Sequence, residues 1–165
     1  MSYTTVKAIW PEEKSSDIVD LKNSHGFGPA IWTNICGRYL NNDMAWIGLQ
    51  VNDLWPLWKK KSIPIHQRTV LAMTYDMAYV KKVDFIRAAK DIRLFLKDFP
   101  VKANHVNHLQ KIADIFEGDP DIPAIGFSGS LSDDLWEGEY DEETKESGPP
   151  DMAMAFDLYF EIDSL

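Results

Sequence analysis

Cysteine occurs once in the 165 residues, at Cys36, so no disulfide can close within the chain and no cysteine-rich metal cluster can be built from it. Nor does any window approach the ~18 consecutive apolar residues of a membrane span. The opening MSYTTVKAIWPEEK lacks the apolar stretch of a signal peptide. These absences lead to the expectation of a soluble protein of the reducing cytoplasm, with no membrane partner.

Basic residues are also scarce. Seventeen Lys and Arg stand against 26 Asp and Glu, a net charge of −9. Affinity for DNA or RNA needs clustered cations against the phosphates, so nucleic acids are excluded as expected partners. A basic protein is not. Catalytic signatures are missing too. There is no HEXXH pair, and no glycine and carboxylate pattern of an EF-hand. Gly126-Phe127-Ser128-Gly129-Ser130 lacks the lysine of a phosphate loop and the spacing of a dinucleotide fingerprint, so it reads as a turn or strand exit. No cofactor is expected.

What is present is a hydrophobic share of 45% with six Trp, six Tyr and eight Phe, enough to build a core in a chain of this length. The charge is unevenly placed. Residues 1–130 carry 16 Lys+Arg and 14 Asp+Glu, a balance of +2, whereas residues 131–165 carry one Lys and 12 Asp+Glu, a balance of −11. The acidity therefore belongs to the last fifth of the chain.

Periodicity predicts the elements. Thr4 to Trp10 is β-branched and partly alternating, a short strand closed by Pro11. Ser15-Ser16-Asp17 resembles a helix cap before Ile18 to Leu21, which predicts a short helix ended near Gly26. Gly28-Pro29 opens a helix with Ile31, Trp32, Ile35 and Tyr39 on its apolar face and Cys36 beside it. A short helix over Leu54 to Trp58 ends in Lys59-Lys60-Lys61, and Pro64 starts the next, which carries Arg68, Val70, Leu71 and Met73. Ile86, Ala89, Ile92, Phe95 and Phe99 define an amphipathic helix from about Lys82 to Asp98. Leu109, Ile112, Ala113 and Phe116 define another that stops at Gly118, and the two form a helical hairpin. After an extended run at Ala124 to Phe127 comes the acidic segment. The closing stretch Phe156 to Ile162 alternates apolar and polar residues and predicts a strand paired near Ile125, although Met152 to Ala155 equally favours a helix start.

The expected fold is thus α+β and predominantly α-helical: a compact single domain of amphipathic helices with a small terminal β-sheet. Residues 1–130 form a near-neutral, mainly helical body, 131–151 an acidic loop, and 152–165 a C-terminal strand or helix.

The candidate site is the acidic loop. Residues 132–151 hold nine carboxylates against one lysine, with Trp136 and Tyr140 among them. Opposed charge speeds encounter with a basic surface and a buried aromatic slows release, so Asp133, Asp134, Trp136, Glu137, Glu139, Tyr140, Asp141, Glu142 and Glu143 are the expected partner-binding residues. The alternative for Trp136 is an anchor that ties the loop to the body. Asp133/Asp134 and Asp141 to Glu143 also offer paired acids for general acid–base work, but nothing in the sequence gives them a pocket to separate their roles.

His105 and His108 are spaced to share one helix face as metal ligands, yet no matching pair lies elsewhere. Cys36 with His25 or His66 would make a nucleophile and base, against the plainer reading of a small buried hydrophobe. Three function classes follow. The first is a binding module of the immunity or inhibitor kind, covering the basic cleft of a partner such as a nuclease toxin. The second is an enzyme assembled from scattered His and Cys residues. The third is a homo-oligomeric structural subunit, with exposed aromatics serving self-association.

Overall fold

The computed structural model describes residues 3–22, 27–47, 51–100, 108–118, 120–129 and 136–165. It is a compact α+β fold. Strand β1 (Tyr3–Ile9) lies inside a five-stranded sheet of order β2-β1-β4-β3-β7, completed by β2 (Ser16–Lys22), β3 (Ala78–Lys81), β4 (Ala124–Gly129) and β7 (Phe156–Asp157). All neighbours pair antiparallel except β3 and β7, which are parallel. The strands come from both ends and the middle of the chain, so the sheet is not confined to the termini.

Two sequence expectations are corrected here. The segment Ile18 to Leu21 is strand β2, not a helix. Asp17 and Asp20 act as cross-strand partners: Lys7 Nζ lies 2.7 Å from Asp17 Oδ1, and Thr5 Oγ1 donates to Asp20 Oδ1 at 2.6 Å. A helix of one turn gains too few bonds to offset its nucleation cost, while pairing with β1 satisfies the same backbone at once. At the C-terminus only Phe156 and Asp157 are strand, and they pair with β3, not with the segment around Ile125. Helix α6 (Leu158–Asp163) follows. Asp157 caps it by accepting from the Phe160 backbone N–H at 3.3 Å. Arg87 then grips Asp163 through two bonds of 2.7 and 2.6 Å, with its guanidinium 4.2 Å above the Tyr159 ring. Tyr159 donates to the buried Asp91 at 2.9 Å. These tertiary partners override the two-residue alternation.

The helices are α1 (Phe27–Tyr39), α2 (Val51–Leu54) running into a 3₁₀ turn at Trp55–Lys59, α3 (Ile65–Ala72), α4 (Phe85–Asp98) after a 3₁₀ turn at Lys82–Asp84, and α5 (His108–Glu117). Helices α4 and α5 form the expected hairpin, clamped on its outside by Arg93, which bonds Glu117 and Asp114. Ile86 is the exception on α4. It was expected in the core but is 63% exposed, and Phe85 and Ala88 are buried with Ala89, Ile92 and Phe95.

The side-chain alternation of a strand divides the sheet into two unlike faces. Val6, Val80, Ile125 and Phe127 face the helices and join the main core. Phe127 is the meeting point, with the Phe27 ring stacked at 5.5 Å and the Phe116 ring edge-on at 6.5 Å. The opposite face holds a separate, smaller cluster of Ile9, Met77, Ala124 and Trp136. That second face carries the acidic segment.

Candidate functional site: an acidic hairpin pinned by tryptophan

Trp136 lies against the outer face of the sheet and fixes the start of the acidic segment's described part there. The indole is 0% exposed. It lies on Gly126 of β4 so closely that a Cβ there would meet Trp136 Cζ2 at 2.7 Å and Cε2 at 2.8 Å. Its Nε1 donates to the Phe127 carbonyl at 2.9 Å, and its own carbonyl accepts from Ser15 Oγ at 2.9 Å. Tyr79 meets the ring edge-on at 6.2 Å, and Met152 and Ala155 pack against the cluster. The expectation that Trp136 contacts a partner is therefore corrected. An indole buried with its only donor satisfied has no face left to offer, and it serves as the anchor.

Beyond this pin the backbone forms a β-hairpin of β5 (Tyr140–Asp141) and β6 (Glu146–Ser147). Its base is tied by Gly138 N–H to the Gly148 carbonyl (3.1 Å) and Gly148 N–H to the Glu139 carbonyl (3.0 Å). Gly138 has no substitute at this base, because a Cβ would sit 2.1 Å from the Pro149 carbonyl oxygen. At the tip, Asp141 Oδ1 accepts from the backbone N–H groups of Glu143 (2.8 Å) and Thr144 (3.3 Å). These bonds hold its carboxyl below the usual aspartate range. Lys145 takes the left-handed conformation, φ 58°, that reverses the chain.

The hairpin projects its charges. Glu137, Glu139, Asp141, Glu142, Glu143, Glu146 and Asp151 are all exposed, with only Lys145 of opposite sign among them. Tyr140 stands in the same surface at 59% exposure. Asp133 and Asp134, which belong to the same expected set, lie outside the described residues. The arrangement is a solvated acidic protrusion with one exposed aromatic ring, suited to electrostatic capture.

The remaining candidates separate. His105 and His25 lie outside the described residues. His108 places Nε2 2.7 Å from the Lys22 carbonyl, tying α5 to the end of β2, while its Nδ1 is buried without a partner. Among the described residues no group of three His, Cys, Asp or Glu is arranged to hold a metal ion. Cys36 is 0% exposed, and burial raises its thiol pKa against a weaker backbone hydrogen bond at Trp46. A buried, protonated thiol is a poor nucleophile, and Cys36 takes the place of a small buried hydrophobe in the main core. Trp58 is buried, while Trp32 and Trp55 are half-buried against the main core.

Sequence reasoning missed one polar cluster altogether. His66 and Gln67 of α3 converge on Asp98 at the end of α4. No local pattern marks this meeting, because its members are 31 and 32 residues apart in the chain. No helix among the described residues is long and apolar enough to cross a membrane. Comparison with protein-family models, curated proteins and solved structures finds no match to the chain.

Proposed function

We propose that this chain is an acidic protein-binding module, acting in the cytoplasm, that captures a basic surface of a partner protein. An immunity or inhibitor protein masking the cleft of a nuclease toxin is the form that best suits it. One observation carries the reading. The carboxylates are not spread along a free tail but presented on a hydrogen-bonded hairpin whose base is pinned to the sheet by Trp136. A fixed array loses little conformational freedom on binding, so its charge contributes more fully to encounter and affinity. Tyr140, not Trp136, is the aromatic contact available to a partner.

The test is affinity capture from the native cell, comparing wild type with a variant carrying Gln at Glu137, Glu139, Glu142 and Glu143, read by quantitative mass spectrometry. One basic protein retained at stoichiometry by the wild type and lost by the variant supports the reading. An unchanged set of captured proteins ends it. A second reading, self-association, is favoured by Val83, Ile86 and Phe160, which are 85%, 63% and 69% exposed. Light scattering separates the two, since a monomer at high concentration removes the self-association reading.

A further inference from the structure

The turn that joins the 3₁₀ segment Trp55–Lys59 to α3 concentrates positive charge. Lys59, Lys60 and Lys61 are consecutive and all exposed. Backbone bonds fix the turn that carries them: Lys60 N–H donates to the Leu57 carbonyl at 3.0 Å, and Ile63 N–H to the Lys60 carbonyl at 2.9 Å. Lys59 Nζ lies 5.0 Å from the centre of the Trp58 ring. Arg68 reaches the same turn from inside. It is 7% exposed, its Nε donates to the Trp58 carbonyl at 2.7 Å, and its Nη2 is buried without a hydrogen-bond partner. A guanidinium cannot shed its proton, and salt screens a buried charge less than an exposed one, so Arg68 keeps the turn positive. The N-terminal pole of α3 adds to that potential. Lys7, Lys81 and Lys82, by contrast, each hold an aspartate of their own chain, at 2.7, 2.6 and 3.0 Å. The turn also has an apolar border, since Pro64 is exposed and Ile65 is 43% exposed.

We propose that this lysine turn is a docking surface for the acidic hairpin of a second copy of the chain, so that copies associate head to tail. The inference rests on the reading of the hairpin as a capture surface, and it names one basic surface for it to capture. Complementarity carries it on two counts. The three lysines oppose a hairpin on which Glu137, Glu139, Glu142 and Glu143 are exposed, and the exposed Tyr140 ring finds an apolar counterpart in Pro64 and Ile65. The charge is also segregated along the chain, +2 over residues 1–130 and −11 over 131–165. Head-to-tail contact therefore joins unlike ends, whereas a two-fold contact of hairpin with hairpin would join like charges. A heterologous contact of this kind leaves one free hairpin and one free lysine turn on every growing assembly, so addition continues unless a ring closes.

Sedimentation velocity of the full chain over a range of concentrations tests this, in about 0.1 M and about 1 M salt, where the screening length is about 10 Å and about 3 Å. Wild type should associate at the lower salt and fall to single chains at the higher. Two variants each remove one surface: Gln at Lys59, Lys60 and Lys61, and the hairpin variant with Gln at Glu137, Glu139, Glu142 and Glu143. All of these positions are exposed, so both variants should fold. Each alone should associate at least about tenfold more weakly than wild type. Mixed in equal amounts, they should form a dimer that stops at two chains, because the intact hairpin of one meets the intact turn of the other. Wild type that stays monomeric at the lower salt overturns the proposal, and so does a mixture that yields no dimer. Association lost in Ile86→Asp but kept in the lysine variant also overturns it, by assigning the contact to the apolar patch. Capture of a different basic protein is decided separately: the lysine variant keeps its hairpin and should retain that partner from the native cell as wild type does.

Discussion

Replacing Trp136 by Ala tests the central structural claim, that the acidic segment is secured by one side chain. The indole is fully enclosed, packed against a bare glycine, Tyr79 and a small cluster that includes Ile9, on a face of the sheet separate from the main core. Truncating a buried Trp costs about 3–5 kcal/mol in transfer and cavity terms. Loss of the Nε1 bond leaves the Phe127 carbonyl short of a donor, worth about 1 kcal/mol more. Water entering the vacated, near-surface site would offset part of this, which puts the expected loss at about 4 kcal/mol. For a chain of this size 1 kcal/mol moves Tm by roughly 2–4 °C, so the melting point should fall by roughly 8–16 °C. Urea unfolding followed by far-UV circular dichroism gives the free energy directly. Trp136→Phe, which keeps most of the apolar area but not the bond, should lie between the two. An unfolding free energy for Trp136→Ala within about 1 kcal/mol of wild type would refute the anchor.

Three further outcomes follow from other contacts. Gly126→Ala puts a methyl 2.7 Å from the indole, so it should expose Trp136 and hasten proteolysis between Gly138 and Gly148 while Phe127 keeps its core packing; unchanged cleavage would show that the indole yields easily. Asp98 has a folded pKa depressed below the 3.8 of a free aspartate, so its contribution to stability is present above that value and is lost as pH falls through the folded pKa. Asp98→Asn should therefore flatten the acid limb of the stability curve, and a slope identical to wild type would remove the interhelical role of the carboxylate. Substituting Gln at Glu137, Glu139, Glu142 and Glu143 should leave Tm unchanged or slightly higher, because these groups are solvated and repel one another, and a fall of several degrees would show that they brace the fold.

Periodic elements were legible in the sequence because their signal is local. Helices α4 and α5 repeat apolar residues every three or four positions, and Gly28-Pro29, Pro64 and Gly118 mark ends that the structure keeps within one or two residues. The failures share a cause. Ile18 to Leu21 and Phe156 to Ile162 are short, and a short segment takes its conformation from whichever partner satisfies its backbone, here β1 for the first and β3 with Arg87 for the second. The position of Ile86 was misjudged because a four-residue periodicity fits either of two adjacent stripes until the packing partner is known. The Asp98 cluster was invisible for a stronger reason: each member is an ordinary polar residue near a helix end, and only the folded arrangement makes them a unit.

The acidic segment combines both situations. Its composition announced the charge, and the charge is where composition put it. The pairing of Trp136 with Tyr140 as equivalent aromatics does not survive, because the two rings lie on opposite sides of one mechanical boundary. Trp136 sits where the segment touches the sheet, over a glycine that leaves it room, whereas Tyr140 begins the hairpin strand that leaves the surface. The separation has a physical advantage. An array of like charges repels itself, and on a free strand it would spread and lose any fixed spacing. Closing the segment at Gly138 and Gly148 and burying one large apolar ring behind that closure holds the described carboxylates together while leaving each of them exposed. Anchoring and charge display then rest on different residues, so under the proposed binding role substitutions in the hairpin should alter what is bound without loosening how the hairpin is held.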